Sequence, residues 1–179
     1  AAVNTIPYAR GGISGKTRQL SVSPYIIGSG DQSELVVSLM GWYGTGNNMD
    51  NAYTVENLFL ENPARNQSVR INFPGGISQV VNPGDVDIQS SPIYPTQFGL
   101  SKFTRGERWY LRLELSVVTA GGQWPYADGR SNTYLTDTQY VYYDPAVTTV
   151  TNGVSGTGSF TATGTAFTAN AVGFGAFLL

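Results

Sequence analysis

Between Glu107 and Val118 the chain alternates strictly: Trp109, Leu111, Leu113, Leu115 and Val117 take one set of positions, and Arg108, Tyr110, Arg112, Glu114 and Ser116 the other. Successive side chains of a strand point to opposite faces. The stretch therefore predicts a long, half-buried strand with five apolar side chains on one face and a polar set on the other. Shorter runs rich in Val, Ile, Thr, Tyr and Phe predict further strands over Arg18 to Ile27, Glu34 to Tyr43, Tyr53 to Glu61, Gln67 to Phe73, Ile77 to Val81 and Tyr134 to Tyr143, with pieces of Ser159 to Leu179.

Turn chemistry separates these runs. Gly44-Thr45-Gly46-Asn47-Asn48, Pro74-Gly75-Gly76, Asn82-Pro83-Gly84-Asp85 and Gly121-Gly122 each supply a positive or fixed φ where a reversal needs one. No segment repeats apolar residues at i, i+3, i+4 and i+7 over three turns, so mixed α/β folds are disfavoured. The expectation is an all-β domain, a jelly-roll or related two-sheet antiparallel β-sandwich. At 179 residues one such domain buries roughly 70% of its unfolded surface. The expected division is a flexible N-terminal segment over 1–17, the sandwich over 18–155, and C-terminal strands or a docking arm over 156–179. That last stretch is uncharged and consists mainly of Gly, Ala, Thr and Phe.

Composition removes several chemistries. The chain has no Cys and no His, which rules out thiolate nucleophiles, imidazole acid–base catalysis and sites built on sulfur or imidazole ligands. Charged residues make up 12% of the chain against about 25% in typical domains, and the net charge is −2. Phosphate neutralisation needs a basic patch, and only Arg105, Arg108 and Arg112 lie close together in sequence, so nucleic acid is not an expected partner. No apolar run reaches the roughly 18 residues of a membrane helix, so no membrane partner is expected. A sparsely charged exterior fits a protein whose surface is covered by neighbours.

Individual motifs reduce to structural explanations. Gly11-Gly12-Ile13-Ser14-Gly15-Lys16-Thr17 ends like a phosphate-binding loop, but Arg10 stands where the first glycine is required and no helix pattern follows. Asp85 with Asp87, and Asp50 with Asn47, Asn48 and Asn51, could offer oxygens to calcium. Turn capping accounts for both clusters more simply. No pair of carboxylates is nominated for glycoside cleavage. Trp42 and Trp124 are candidates for stacking on a sugar ring, whereas Trp109 is placed in the core by its strand phase. No cofactor and no metal are expected.

The stretch Phe98 to Pro125 carries a family likeness. Gly99-Leu100 leads into Arg105-Gly106-Glu107-Arg108-Trp109-Tyr110-Leu111-Arg112, and the stretch closes at Gly121-Gly122-Gln123-Trp124-Pro125. It resembles the β-sandwich modules of phage-encoded proteins, including those that precede the catalytic part of SGNH-type hydrolases. Where the hydrolase pattern demands Gly-Asp-Ser and a late His, this chain has Gly30-Asp31-Gln32 and no His. The resemblance implies the module without the chemistry, and with it a non-enzymatic virion protein such as a capsid decoration (cement) or fibre protein. The implied partner is a major capsid protein, and the implied assembly a homo-oligomer, a trimer by analogy. Expected contact residues are Tyr140, Tyr142, Tyr143, Phe174, Phe177, Leu178 and Leu179. The alternative expectation is a carbohydrate-binding module using Trp42 and Trp124.

Overall fold

The computed structural model describes residues 9–11, 16–28, 30–43, 47–120, 122–126, 139–144, 146, 148–164 and 177–178. Within these, residues 9–11, 43, 124–126, 140, 142, 148, 164, 177 and 178 are described by their backbone alone. The first strands are β1 (Ala9–Gly11), β2 (Arg18–Ile26), β3 (Val37–Leu39), β4 (Trp42–Tyr43) and β5 (Asn47–Asn48). Then come β6 (Tyr53–Glu61), β7 (Ser68–Arg70), β8 (Gln79–Val81), β9 (Ile88–Gln89) and β10 (Arg108–Ser116). The last are β11 (Trp124–Tyr126), β12 (Gln139–Tyr143), β13 (Thr148–Thr151), β14 (Thr161–Gly164) and β15 (Phe177–Leu178). Every pairing among them is antiparallel, and the helical content of the described residues is one 3₁₀ turn, Pro95–Phe98. The chain is all-β, with an arrangement compatible with a β-sandwich.

The largest sheet runs β12-β2-β10-β6-β7, with β8 pairing the other half of β6. Strand β10 pairs with β2 over its full length, Trp109 opposite Tyr25 and Leu115 opposite Gln19. A smaller sheet, β15-β3-β9, faces it. Trp109, Leu111, Leu113 and Leu115 of β10 bury their side chains with Tyr25, Tyr53, Val55, Leu58 and Leu60 from the large sheet. Leu35, Val37, Leu39 and Ile93 come from or beside the small sheet. The 3₁₀ turn brings Phe98 to 4.8 Å from Trp109, and Phe103 lies 5.0 Å from the same ring, both edge-on. Edge-to-face rings add attraction beyond the area they bury.

Strand β6 breaks the alternation rule, and the structure shows why. Tyr53 and Val55 are apolar at odd positions, Leu58 and Leu60 at even ones, yet all four reach the same core. The register with β10 shifts between Asn57 and Val55, so Glu56 is the extra residue of a β-bulge. A bulge restores the phase by placing two residues against one. Glu56 and Asn57 both then project outward, where Glu56 takes the Ser116 hydroxyl at 2.5 Å and Asn57 donates to Glu114 at 2.9 Å.

The outer face of the large sheet is also covered, which corrects the half-buried reading of β10. Leu20, Val22, Tyr110, Val141, Tyr143 and Phe160 form a second apolar cluster, with Val150, Val154 and Ala162 packed on it from the β13–β14 hairpin. Period two in β10 identified the alternation but could not reveal that a hairpin some forty residues later would cover its polar side. In β2 the phase follows from register: Leu20 and Val22 face outward, while Gln19, Ser21 and Ser23 sit on the Trp109 side, buried and with Gln19 Oε1, Ser21 Oγ and Ser23 Oγ lacking hydrogen-bond partners among the described residues. Pro24 lies beyond Val22, the last residue of β2 paired to β12, so its missing N–H removes no bond from that ladder.

The run Glu34 to Tyr43 divides into β3 and β4 at Gly41. A Cβ there would come within 1.8 Å of the Asn82 carbonyl oxygen. The close approach lets Gly41 donate to Asp85 and accept from Met49 and Gly84, welding two loops together. Within the expected flexible segment, Ala9–Gly11 pairs with Trp124–Tyr126, and Thr17 leads directly into β2, where a phosphate loop would open a helix.

Truncating the fully buried Trp109 to Ala is expected to cost about 3–5 kcal/mol, because both neighbouring rings lose their partner and a cavity remains. Val118→Ala, at a side chain 98% exposed, is expected to stay within about 0.5 kcal/mol of the parent. Urea unfolding of the two variants checks the contrast.

Candidate functional site

The charged centre of the molecule is buried beneath the β13–β14 hairpin. Arg112 projects from the outer face of β10, and Glu61 ends β6 on the same side; neither side chain has any exposure. Their Nη1 and Oε2 atoms lie 2.8 Å apart. The remaining guanidinium hydrogens go to the main chain: Nη1 donates to Gly158 at 2.7 Å, Nη2 to Asn152 at 2.8 Å and Gly153 at 2.6 Å, and Nε to Val154 at 3.2 Å. A guanidinium has five N–H groups in a fixed fork, and here each has an acceptor.

Glu61 is served as fully. Its Oε1 accepts from Gly158 N at 2.5 Å and from Arg65 Nε at 3.1 Å. Arg65 in turn lies 4.3 Å over the Tyr110 ring. Burial pushes the Arg112 guanidinium below its ordinary pKa, and the bond to Glu61 opposes that shift. Guanidinium pKa values are high enough that the group stays charged. The pair is a clamp on residues 152–158, with backbone carbonyls as its ligands.

Beside the clamp a polar strip crosses the outer face. Arg18 binds Glu114 at 3.1 Å and reaches Glu56 at 3.8 Å. Asn57 joins Glu114 to Arg70. Tyr143, one of the expected contact residues, is buried in the second apolar cluster and donates its hydroxyl to Glu114. Burial first, and the Glu114 carboxylate second, raise that phenol far above the ordinary range, so it remains a donor. Elsewhere, the Asp31 carboxyl is held below its usual range by Lys102 at 2.6 Å and by the Arg105 amide at 2.9 Å. In the Gly30-Asp31-Gln32 sequence the acid is thus an ion-pair partner.

The other expected residues are distributed as follows. Val141, between Tyr140 and Tyr142, is buried with the second cluster; the backbones of Tyr140 and Tyr142 pair with Ser21 and Gln19, and their side chains lie outside the described residues. Phe177 and Leu178 form β15 and pair with Ser38 and Val37 of the same chain. Phe174 and Leu179 lie outside the described residues. Trp42 is half-buried on β4, and β11, which carries Trp124, runs beside β4. Asn51 fixes that neighbour, donating to the Gln123 carbonyl at 2.9 Å and accepting from the Gln123 amide at 2.8 Å. The Trp124 side chain is outside the described residues.

Asp85 and Asp87 of the oxygen-rich turns are hydrogen-bonded. Asp85 caps Asn82 at 2.7 Å, and Asp87 accepts from Ser38 at 2.8 Å and Gln89 at 2.9 Å. Among the described residues no group of three or more acidic side chains converges as a metal site.

The sequence reading missed the Arg112–Glu61 clamp. Arg112 falls on the polar set of β10, where alternation alone suggests solvent. Its nearest signal was the run Asn152-Gly153-Val154-Ser155-Gly156-Thr157-Gly158, whose three glycines allow a tight strap. No protein-family model matches the chain, and no curated protein matches it.

Replacing Arg112 by Met is expected to cost about 3–5 kcal/mol, since Glu61 would be left buried and unpaired. Arg112→Met with Glu61→Leu is expected to cost less than the sum of the two single changes. Urea denaturation of the four proteins measures this, and a sum additive to within about 0.5 kcal/mol would show that the pair is not coupled.

Proposed function

We propose that this chain is a non-enzymatic structural protein of a phage-type virion, a capsid decoration or cement protein that acts through its exterior surface. The observation that carries the reading is the β8 edge. Residues 71–84 contain no charge, and the segment from Ile77 to Val86 exposes three large apolar side chains: Ile77 at 54%, Val80 at 49% and Val86 at 70%. Among the described strands, β8 pairs only with β6. Uncharged edges with exposed apolar side chains favour association, and monomeric proteins usually blunt them with charge. The uncharged stretch 156–179 is the second contact region in this reading.

The acids described above serve the fold: Glu61, Glu114, Glu56 and Asp31 are ion-paired, Asp85 caps a turn, and Asp87 binds the side chains of Ser38 and Gln89. Surface burial would then supply the binding energy, at roughly 25 cal/mol per Å² before ordering costs. One observation favours the alternative of a carbohydrate-binding module: β11, which carries Trp124, lies beside β4, which carries Trp42 and pairs with the exposed Asn47 and Asn48. That reading expects binding on a glycan array that is lost with Trp42→Ala and with Trp124→Ala.

In sedimentation the parent chain is expected to form a homo-oligomer. Ile77→Asp with Val80→Asp is expected to weaken it by about tenfold to a hundredfold, or about 1.4–2.8 kcal/mol, while the circular dichroism stays that of the parent. A chain cut after Gly173 reports the share of the C-terminal region. Monodisperse monomer for the parent at high concentration would count against assembly through these surfaces.

A further inference from the structure

The strap under which Arg112 lies contains the one Asn-Gly dipeptide of the chain, Asn152-Gly153. A glycine after asparagine offers little steric hindrance to attack by its backbone nitrogen on the asparagine side-chain amide, so such pairs cyclise readily in flexible peptides. Asn152 is exposed, and solvent reaches it. In the folded chain, however, the reacting groups are tied down on both sides.

The Asn152 side chain is bound within its own turn. Its Nδ2 donates to the Thr157 and Ser159 carbonyls, the latter at 2.8 Å, and its Oδ1 accepts from the Thr157 amide at 3.1 Å. Gly156 packs against it so closely that a Cβ there would lie 2.0 Å from Oδ1. The main chain is bound from below, since Arg112 holds the carbonyls of Asn152 and Gly153, and Asn152 keeps a φ of 57°. Ring closure requires Cγ to swing onto the Gly153 nitrogen, which breaks the bonds to Thr157 and Ser159.

We propose that Asn152 is a covalent modification site that acts as a one-way release for the strap. When residues 152–158 lift from Arg112, the deprotonated Gly153 nitrogen attacks Cγ of Asn152. A nitrogen–Cγ bond forms, the Cγ–Nδ2 bond breaks, and ammonia leaves with a proton from solvent. Water then opens the succinimide. Cleavage at Cγ yields aspartate, and cleavage at the main-chain carbonyl yields isoaspartate.

Neither product can rebuild the latch. A carboxylate replaces an amide that donated to two carbonyls, so acceptors face acceptors at Thr157 and Ser159. Isoaspartate also lengthens the backbone by one methylene and displaces the carbonyls that Arg112 binds. Opening of the hairpin thus becomes permanent, while the Trp109 core keeps its own contacts.

The full chain is held at mildly alkaline pH, and conversion of Asn152 is followed by peptide mass mapping beside a synthetic peptide of residues 149–156. Conversion in the folded chain is expected to be slower than in the peptide by about tenfold or more, because only the open fraction reacts. Arg112→Lys, or in its place urea below the global transition, is expected to speed it. The converted chain and Asn152→Asp are both expected to lose amide-exchange protection across 148–164 and to keep it in β10. Equal rates in chain and peptide, or no acceleration when the clamp is weakened, would overturn the proposal. So would unchanged exchange after conversion.

Discussion

A charge without solvent must find its partners inside the protein, and Arg112 imposes that demand on everything around it. Burying an unpaired ion costs several kcal/mol, so the fold is tenable only with Glu61 in reach and with acceptors for the remaining hydrogens. Four backbone carbonyls of residues 152–158 meet the requirement. The hairpin that carries them then covers the outer apolar cluster. The third layer of the molecule depends on this one guanidinium.

The same logic orders the large sheet. Strand β10 is the common neighbour of β2 and β6, and each of its faces has a core. Its inner side chains pack against the small sheet, and its outer ones bind the hairpin and the polar strip. The bulge at Glu56 reconciles β6 with both requirements, keeping Val55 and Leu58 inside while adding a carboxylate outside. The buried hydroxyls of Ser21 and Ser23 show the opposite case: register places them in an apolar layer, and among the described residues they have no partner there. Specificity of register outweighs local satisfaction in β2.

The proposed function rests on what the polar networks leave outside. The clamp and the strip absorb charges that would otherwise line a surface, and they do so on the side covered by the hairpin. The segment around β8, by contrast, is uncharged over residues 71–84 and exposes Ile77 and Val80, with Val86 exposed beyond it. An exterior of that kind supports association by burial of apolar area. Strand β4 lies beside β11, which is the neighbourhood that the carbohydrate-binding proposal uses.

Alternation, turn residues and the lack of helical periodicity by themselves determined that the chain is a set of short antiparallel strands, with Trp109 and the odd-numbered leucines of β10 inside. Period two reports which residues share a face, and that property is local. Whether the opposite face meets water is decided by a hairpin distant in sequence, so the burial of Arg112, Glu61 and Tyr143 came only with the tertiary structure. The bulge in β6 was visible as a change of phase between Val55 and Leu58, yet its meaning required the register of the neighbouring strand. Long-range pairing sets those features, and no window of residues contains both partners.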